Sequence, residues 1–314
     1  DMKQQLDNIR ELGDISLAAN VPCSLQPVLS SPTSPNAEEL IEALEKEQAR
    51  GARVFGQTMP RCFDLNMRLS ETSMLLYALP RWKKIMDLPR EQRLEQFKEQ
   101  KSELVNEMKD AKGMSGSIPF LKVGSVKSDE NQRYQGQYLG SIAQEENKEL
   151  GEVILDLSIR DNLDTEFQLQ NVINADKQAV AKIVSHPLCH FGASDAGAHI
   201  TQFCGTGDTS HLLQHYVRET STFSLEEAIH KMTGELAVDW GLADRGTLEE
   251  GKAADIVIFN SETVSVGKEE FVDDFPGEAR RYVRKSEGYD VVIVNGAIAY
   301  QDGRYTETLN GRVV

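Results

Sequence analysis

Apolar residues fall at helical spacing in some stretches and in short runs between turn residues in others, which predicts a mixed α/β chain. Residues 2–12 read as a helix, and 15–29 as an apolar strand interrupted by Asn20 and Pro22. The stretch Ser30-Ser31-Pro32-Thr33-Ser34-Pro35 reads as a loop. Pro35-Asn36 then opens an amphipathic helix over 37–50, closed by Gly51. Residues 52–58 (ARVFGQT) form a second strand. Strand, loop, helix, strand is the unit from which parallel sheets are built.

The next hundred residues break this rhythm. Residues 74–85 carry Leu, Tyr, Trp and Met without clean alternation, 89–110 predict one highly charged helix with solvated i,i+4 pairs, and 112–140 predict surface loops. Residues 69–140 are therefore expected as an insertion over one face of the core. Regular pattern returns with helices over 141–146 and 150–157, a third strand at 165–170 (TEFQLQ), a helix over 176–185 and a fourth strand at 189–193. A helix around 210–218 follows, then one opened by the capping box Ser224-Leu225-Glu226-Glu227. Four strand-helix units are half of an eightfold barrel. In the tail, 245–259 place a turn before an apolar strand, and 291–300 read as two strands around an Asn295-Gly296 hairpin. The expected organisation is a barrel portion over 1–245, with the insertion near 69–140, and a small β module over 246–314.

Length changes this picture little, because 314 residues suit one large unit with an appendage. Charge excludes more: 34 Lys and Arg against 50 Asp and Glu give a net −16, a surface that repels nucleic acid and anionic membranes. No window approaches the roughly 18 apolar residues of a membrane span, and the first residues hold no apolar signal core. A soluble, cytoplasmic protein is expected, although such a start also fits a chain missing its first part. Cys23, Cys62, Cys189 and Cys204 lie far apart without zinc-ribbon or redox spacing, so free thiols are expected.

The densest chemistry lies in Phe191-Gly192-Ala193-Ser194-Asp195-Ala196-Gly197-Ala198-His199, where small residues clear space around one carboxylate after an apolar strand. Asp195 could bind a metal, take a proton from a metal-bound water, or cap a turn. His211 and His215 face one side of a helix and could clamp a metal. The Glu of the His-Glu-x-x-His motif is missing, so packing or substrate contact is the preferred reading. His186 and His190 flank Pro187 as loop and strand-start residues. The loop 201–207 is small and polar, but no Gly-Lys-Ser/Thr follows it, and no base partner is suggested for Cys204 as a nucleophile. Arg61 and Arg218 could hold an anionic group or sit at the surface and helix ends.

Several runs together resemble a known family: Ser194-Asp195-Ala196-Gly197-Ala198-His199, Tyr216-Val217-Arg218-Glu219, Ser224-Leu225-Glu226-Glu227-Ala228-Ile229-His230-Lys231-Met232-Thr233, Gly241-Leu242-Ala243-Asp244-Arg245-Gly246 and Gly251-Lys252-Ala253-Ala254-Asp255-Ile256-Val257. They resemble the C-terminal half of the N-acyl-D-amino-acid deacylases (D-aminoacylases) of the amidohydrolase superfamily. The resemblance is clearest over 150–314 and collinear before that. It implies an α/β fold, the C-terminal half of a (β/α)8 TIM barrel with part of a small β-sandwich. It also implies that the first barrel strands, a His-x-His metal pair and a Cys or acidic ligand lie upstream of Asp1, since this chain holds no His-x-His.

Carried to matching positions, the resemblance makes Asp195 the aspartate after the eighth strand, a metal ligand and the general acid/base for the attacking water. It places His199, Gln202 and Cys204 beside the substrate and gives Arg61 a role in holding the substrate carboxylate. Strands five and six of the family end in metal-binding histidines. Here those ends read Leu25-Gln26-Pro27-Val28 and Gly56-Gln57-Thr58-Met59-Pro60. Gln26 and Gln57 are poor zinc ligands, so either the site is mononuclear or metal binding is weakened, and Gln57 is assigned to the substrate. The implied cofactor is zinc and the implied reaction is hydrolysis of the amide of an N-acyl, D-configured amino acid. Alternatives are an amidohydrolase of cyclic amides and a non-catalytic binding protein with a degenerate metal site. A half barrel would expose strand edges, which predicts a homo-oligomer or association with the missing N-terminal half.

Overall fold

The computed structural model describes residues 2–30, 37–192, 194–277 and 279–313. Helix α1 (Met2–Ala19) runs past the predicted end at residue 12, so Ile15-Ser16-Leu17 continues the helix instead of opening a strand. Tertiary contact decides this: Ser16 is buried, its hydroxyl donating to the Val21 carbonyl and accepting from the Arg53 amide, both at 2.8 Å. Asn20, at φ +53°, ends the helix, and the predicted strand shrinks to β1 (Cys23–Leu25). The loop reading from residue 31 onward and the helix start at Pro35-Asn36 lie outside the described residues. Helix α2 (Ala37–Ala49) buries Leu40 and Leu44, and Gly51 follows at φ +90°. Strand β2 (Val54–Thr58) forms as expected. Strand β3 (Phe63–Met67) was not anticipated, although Phe63, Leu65, Met67 and Leu69 recur at every second position and are buried.

The single charged helix expected over 89–110 is preceded by α3 (Pro80–Met86) and is itself two helices, α4 (Arg90–Glu99) and α5 (Lys101–Met108). The chain leaves helical geometry at Gln100 (φ −102°, ψ 18°), and this turn lets Phe97, Leu104 and Met108 all enter one core. Nor are residues 112–140 surface loops. They form 3-10 turns at Gly113–Phe120 and Asp129–Tyr134 and strand β4 (Lys122–Val123), burying Ile118, Leu121, Val123 and Tyr134. Their polar members serve the backbone: Ser115 Oγ donates to the Leu75 carbonyl at 2.6 Å and Asn131 Nδ2 to the Leu157 carbonyl at 2.9 Å. Helices α6 (Leu139–Glu145) and α7 (Leu150–Arg160) and strand β5 (Phe167–Ile173) complete this region, whose core centres on Trp82, Phe97 and Phe167.

Helix α8 (Lys177–Ser185) is capped by the Asp176 carboxylate on the amides of Gln178 and Ala179, and strand β6 (Cys189–Phe191) follows. Helix α9 (Asp208–His211) passes into a π-helical turn, Leu212–Glu219. Helix α10 (Leu225–Met232) carries the expected capping box, and α11 (Gly234–Trp240) ends on Gly241. The tail is all β: β7 (Ile256–Phe259), β8 (Ser265–Phe275), β9 (Ala279–Glu287), β10 (Tyr289–Val294), β11 (Ala297–Gln301) and β12 (Arg304–Tyr305).

Among the described residues, the parallel sheet has three strands in the order β1-β2-β6, with Gln57 opposite His190. The third predicted strand is β5, and it leaves that sheet to pair antiparallel with β3 and β4. Alternation marks a residue as strand but is silent on its partner, which explains the miss. In the tail, β12-β11-β10-β7 form an antiparallel sheet, and its expected hairpin turns at Asn295 and Gly296 with φ of +46° and +80°. The hairpin of β8 and β9, turning at Pro276-Gly277, was not anticipated.

A buried charged network ties this hairpin to the antiparallel sheet. Arg68, at the end of β3, pairs with Glu166 before β5 and donates to the Tyr282 hydroxyl of β9 at 2.6 Å, and that hydroxyl donates to Glu166 Oε2 at 2.9 Å. The guanidinium lies 4.2 Å from the centre of the Phe271 ring of β8. Arg280 adds an outer layer, reaching Glu71 at 3.0 Å, Ser70 Oγ at 3.1 Å and Asp164 at 3.0 Å. Replacing Arg68 by Ala leaves Glu166 buried without its cation, so we expect a loss of about 3–5 kcal/mol in urea unfolding. A loss below about 1 kcal/mol, the scale of an exposed pair, would show that the network does not hold the hairpin.

Candidate functional site

Strand β6 delivers Asp195 three residues beyond its last hydrogen-bonded position. The residue sits at φ +51°, in the left-handed region, and is exposed, with no hydrogen bond or ion pair to its carboxylate among the described residues. Its backbone is held from behind. A Cβ on Gly205 would come within 2.2 Å of the Ser194 carbonyl oxygen and 2.7 Å of the Ala196 nitrogen, so glycine alone permits the loop to close on the motif. The arrangement presents a free carboxylate on a supported turn, able to accept a proton or to ligate a cation. Ala193, within the predicted strand and motif, lies outside the described residues.

The other predicted residues divide. His199 is exposed at φ +49°, its Nδ1 3.4 Å from the Gln202 amide nitrogen. Gln57 is half-buried on β2, donates to Ser24 Oγ at 2.5 Å and lies across Gly192. Gln202, expected to line the substrate, is instead 1% exposed. Its Oε1 accepts from the Met74 amide at 2.8 Å and its carbonyl from the Asn66 amide at 2.8 Å, so its polar groups are used in joining two loops. Cys204, expected beside it, is 5% exposed, with its Sγ 3.0 Å from Thr206 Oγ1. Arg61 is not free for a substrate carboxylate: its Nε donates to Asp208 Oδ1 at 2.5 Å and it also reaches the Cys204 carbonyl at 3.3 Å. Burial pushes the Asp208 carboxyl up against the opposing pull of Arg61, and Asp208 Oδ2 has no partner. Arg218 likewise serves the backbone, donating to the Ser261 and Val264 carbonyls at 2.9 and 2.8 Å.

The His211 and His215 rings do share a face, stacked at 5.3 Å, and His215 Nδ1 lies 2.8 Å from Glu219. They do not assemble three potential metal ligands. Among the described residues the one such group is His190, Glu235 and Asp239, which includes neither Asp195 nor this pair. The four cysteines are free thiols, and burial pushes that of Cys189 up to about 12.

Sequence reasoning missed the residues that hold the loop. Glu269 of β8 accepts from the Cys204 amide at 3.0 Å and from Arg284 at 3.1 Å; Arg284 of β9 also reaches the Thr206 carbonyl at 3.3 Å, and the Tyr282 amide donates to the Ile200 carbonyl at 2.7 Å. The available signal was the Pro276-Gly277 turn between two β-rich stretches.

Residues 127–300, more than half of the chain and including Asp195 and this hairpin, match the family model described as amidohydrolase family. The chain belongs to the amidohydrolase family. Among curated amidohydrolase relatives, it is 34% identical over 143 residues to the N-acyl-D-aspartate deacylase of Alcaligenes xylosoxydans xylosoxydans, covering 44% of this chain and 26% of that protein. It is 35% identical over 129 residues to the N-acyl-D-glutamate deacylase of the same organism, covering 40% of this chain and 24% of that protein. The fold is like the crystal structure of D-aminoacylase, at TM-score 0.54 and 21% identity, covering 96% of this chain and 51% of that one. It is also like the N-acyl-D-glutamate deacylase of Bordetella bronchiseptica complexed with zinc and a phosphonate inhibitor, at TM-score 0.55 and 18% identity, covering 94% and 50%. The amidohydrolase chain thus spans about half the length of these solved structures and about a quarter of these curated relatives. Among the described residues, no helix is long and apolar enough to cross a membrane.

Burial, with His215 and Arg61 nearby, pushes His211 from 6.5 down to about 4. The unfolded chain therefore binds this proton at a higher pH than the folded one, and stability present above pH 6.5 is lost as pH falls toward about 4. In urea unfolding at about pH 7.5 and about pH 4.5, we expect His211→Gln to remove about 2–3 kcal/mol of the wild-type difference. An equal pH difference in both proteins would exclude His211 as the source.

Proposed function

We propose that this amidohydrolase chain supplies the proton-transfer carboxylate, Asp195, for hydrolysis of the amide bond of an N-acyl, D-configured amino acid. The observation that carries this reading is an exposed carboxylate, without partners among the described residues, on a glycine-backed turn at the carboxyl end of a parallel strand. The relatives named as N-acyl-D-aspartate and N-acyl-D-glutamate deacylases support the substrate class. In this reading β1, β2 and β6 are an arc of a (β/α)8 barrel and the tail sheets are part of a β-sandwich. With β6 as the eighth strand, the direct pairing of β2 with β6 makes β2 the seventh and β1 the sixth, each one later than the sequence reading. Gln57 then no longer stands at a strand end where the family places a metal-binding histidine, which suits its assignment to the substrate.

The Bordetella structure holds zinc, and a catalytic zinc site takes about three protein ligands. Asp195 belongs to no group of three potential ligands among the described residues, so the described side chains do not make a complete zinc site around it. The step assigned here is therefore the proton transfer alone. Asp195 takes a proton from the water whose oxygen attacks the amide carbonyl carbon. As the C–N bond breaks, the same carboxyl returns the proton to the leaving nitrogen, giving a carboxylate and an amine. His199 and Gln57 face the substrate in this scheme, whereas Gln202, Cys204 and Arg61 hold the loop.

In the enzyme that carries this chain, Asp195→Asn should lower kcat for N-acetyl-D-glutamate or N-acetyl-D-aspartate by about 10²- to 10⁴-fold, with the thermal unfolding midpoint unchanged. Activity within about tenfold of wild type would overturn the assignment.

A further inference from the structure

We propose that His190, the middle residue of β6, and Glu235 and Asp239 of α11 form a binding site for a divalent transition cation of the zinc, cobalt or nickel kind, in a group that does not include Asp195. The three residues each offer one ligand atom, and these atoms lie within 4.8 Å of one another. One imidazole nitrogen with two carboxylate oxygens is a donor set suited to such ions. Glu235 and Asp239 stand four apart on α11 and so share a face, while His190 comes from β6, so a bound ion would clip the helix to the sheet.

Two features of the surroundings suit a cation there. The His190 ring is 2% exposed and fixed by stacking on Phe55 at 4.4 Å, which holds Nε2 in the cluster, 2.8 Å from Asp239. Like charges at i and i+4 of a helix repel, and here Lys231 offsets Glu235 with a full charge whereas Asp239 meets the His190 ring. Lys231, one turn earlier, places Nζ 3.0 Å from Glu235 and 3.1 Å from the His186 carbonyl. Asp239 has no Lys or Arg partner among the described residues. Both carboxylates are about a quarter exposed, so an ion can enter from solvent and keep water in its remaining positions. Entry displaces the Lys231 ammonium from Glu235.

The inference is independent of the reading of Asp195 and is tested by titrating metal-stripped protein with Co²⁺ and Zn²⁺. Stoichiometry is read by elemental analysis and coordination by the visible spectrum of Co²⁺. One ion per chain is expected, bound equally well by Asp195→Asn. Asp239→Asn and Glu235→Gln should each weaken it at least about tenfold, the loss that even an outer-shell change brings. Lys231→Met should tighten it, because the competing ammonium is gone, whereas in a purely structural ion network that variant would only lower the unfolding midpoint. Absence of binding in the wild type, affinity unchanged in both carboxamide variants, or loss of binding in Asp195→Asn would overturn the proposal.

Discussion

A buried guanidinium sets the terms for much of this structure. Arg68 lies inside the protein, and removing an ion from water costs several kcal/mol unless every donor is met. Glu166, the Tyr282 hydroxyl and the face of Phe271 meet it. These partners come from the segment before β5 and from the two strands of the β8-β9 hairpin more than a hundred residues later, so the network is satisfied only when the antiparallel sheet and the hairpin have docked. Arg280, with Glu71, Ser70 and Asp164, repeats the requirement one layer out.

Once docked, the hairpin brings Glu269, Arg284 and the Tyr282 amide onto the loop that follows β6. That loop would otherwise carry unmet backbone amides into the interior. Its polar side chains are spent on this support, Gln202 on the Met74 amide and Cys204 against Thr206, while Arg61, between β2 and β3, is held by Asp208 and the Cys204 carbonyl. What remains facing solvent is Asp195, with His199 four residues on. Strand β6 thus carries the His190 cluster at its middle residue and leads beyond its end to an exposed carboxylate.

Local chemistry could be read from the chain wherever it is self-contained. The Asp176 cap, the Ser224 capping box, Gly51 after α2 and the Asn295-Gly296 turn are each decided by a few adjacent residues. The motif around Asp195 was legible for the same reason, since small residues on both sides of a carboxylate leave it room in any surroundings. Errors arose where a distant partner decides. Ile15-Ser16-Leu17 is helical because Ser16 finds Val21 and Arg53, and residues 112–140 are buried because single apolar residues, sparse in sequence, converge in space.

By itself, then, the sequence determined the α10 capping box and the tight turns, the periodicity of β2 and α2, the free state of the cysteines and the presence of one uncrowded aspartate after a strand. Tertiary structure alone decided which strands pair, why β5 joins β3 instead of the parallel sheet, and whether a polar residue faces solvent or a buried amide. The physical reason is that backbone geometry and capping are settled within a few residues. Burial and ion pairing depend on which groups the fold brings within about 3 Å of one another.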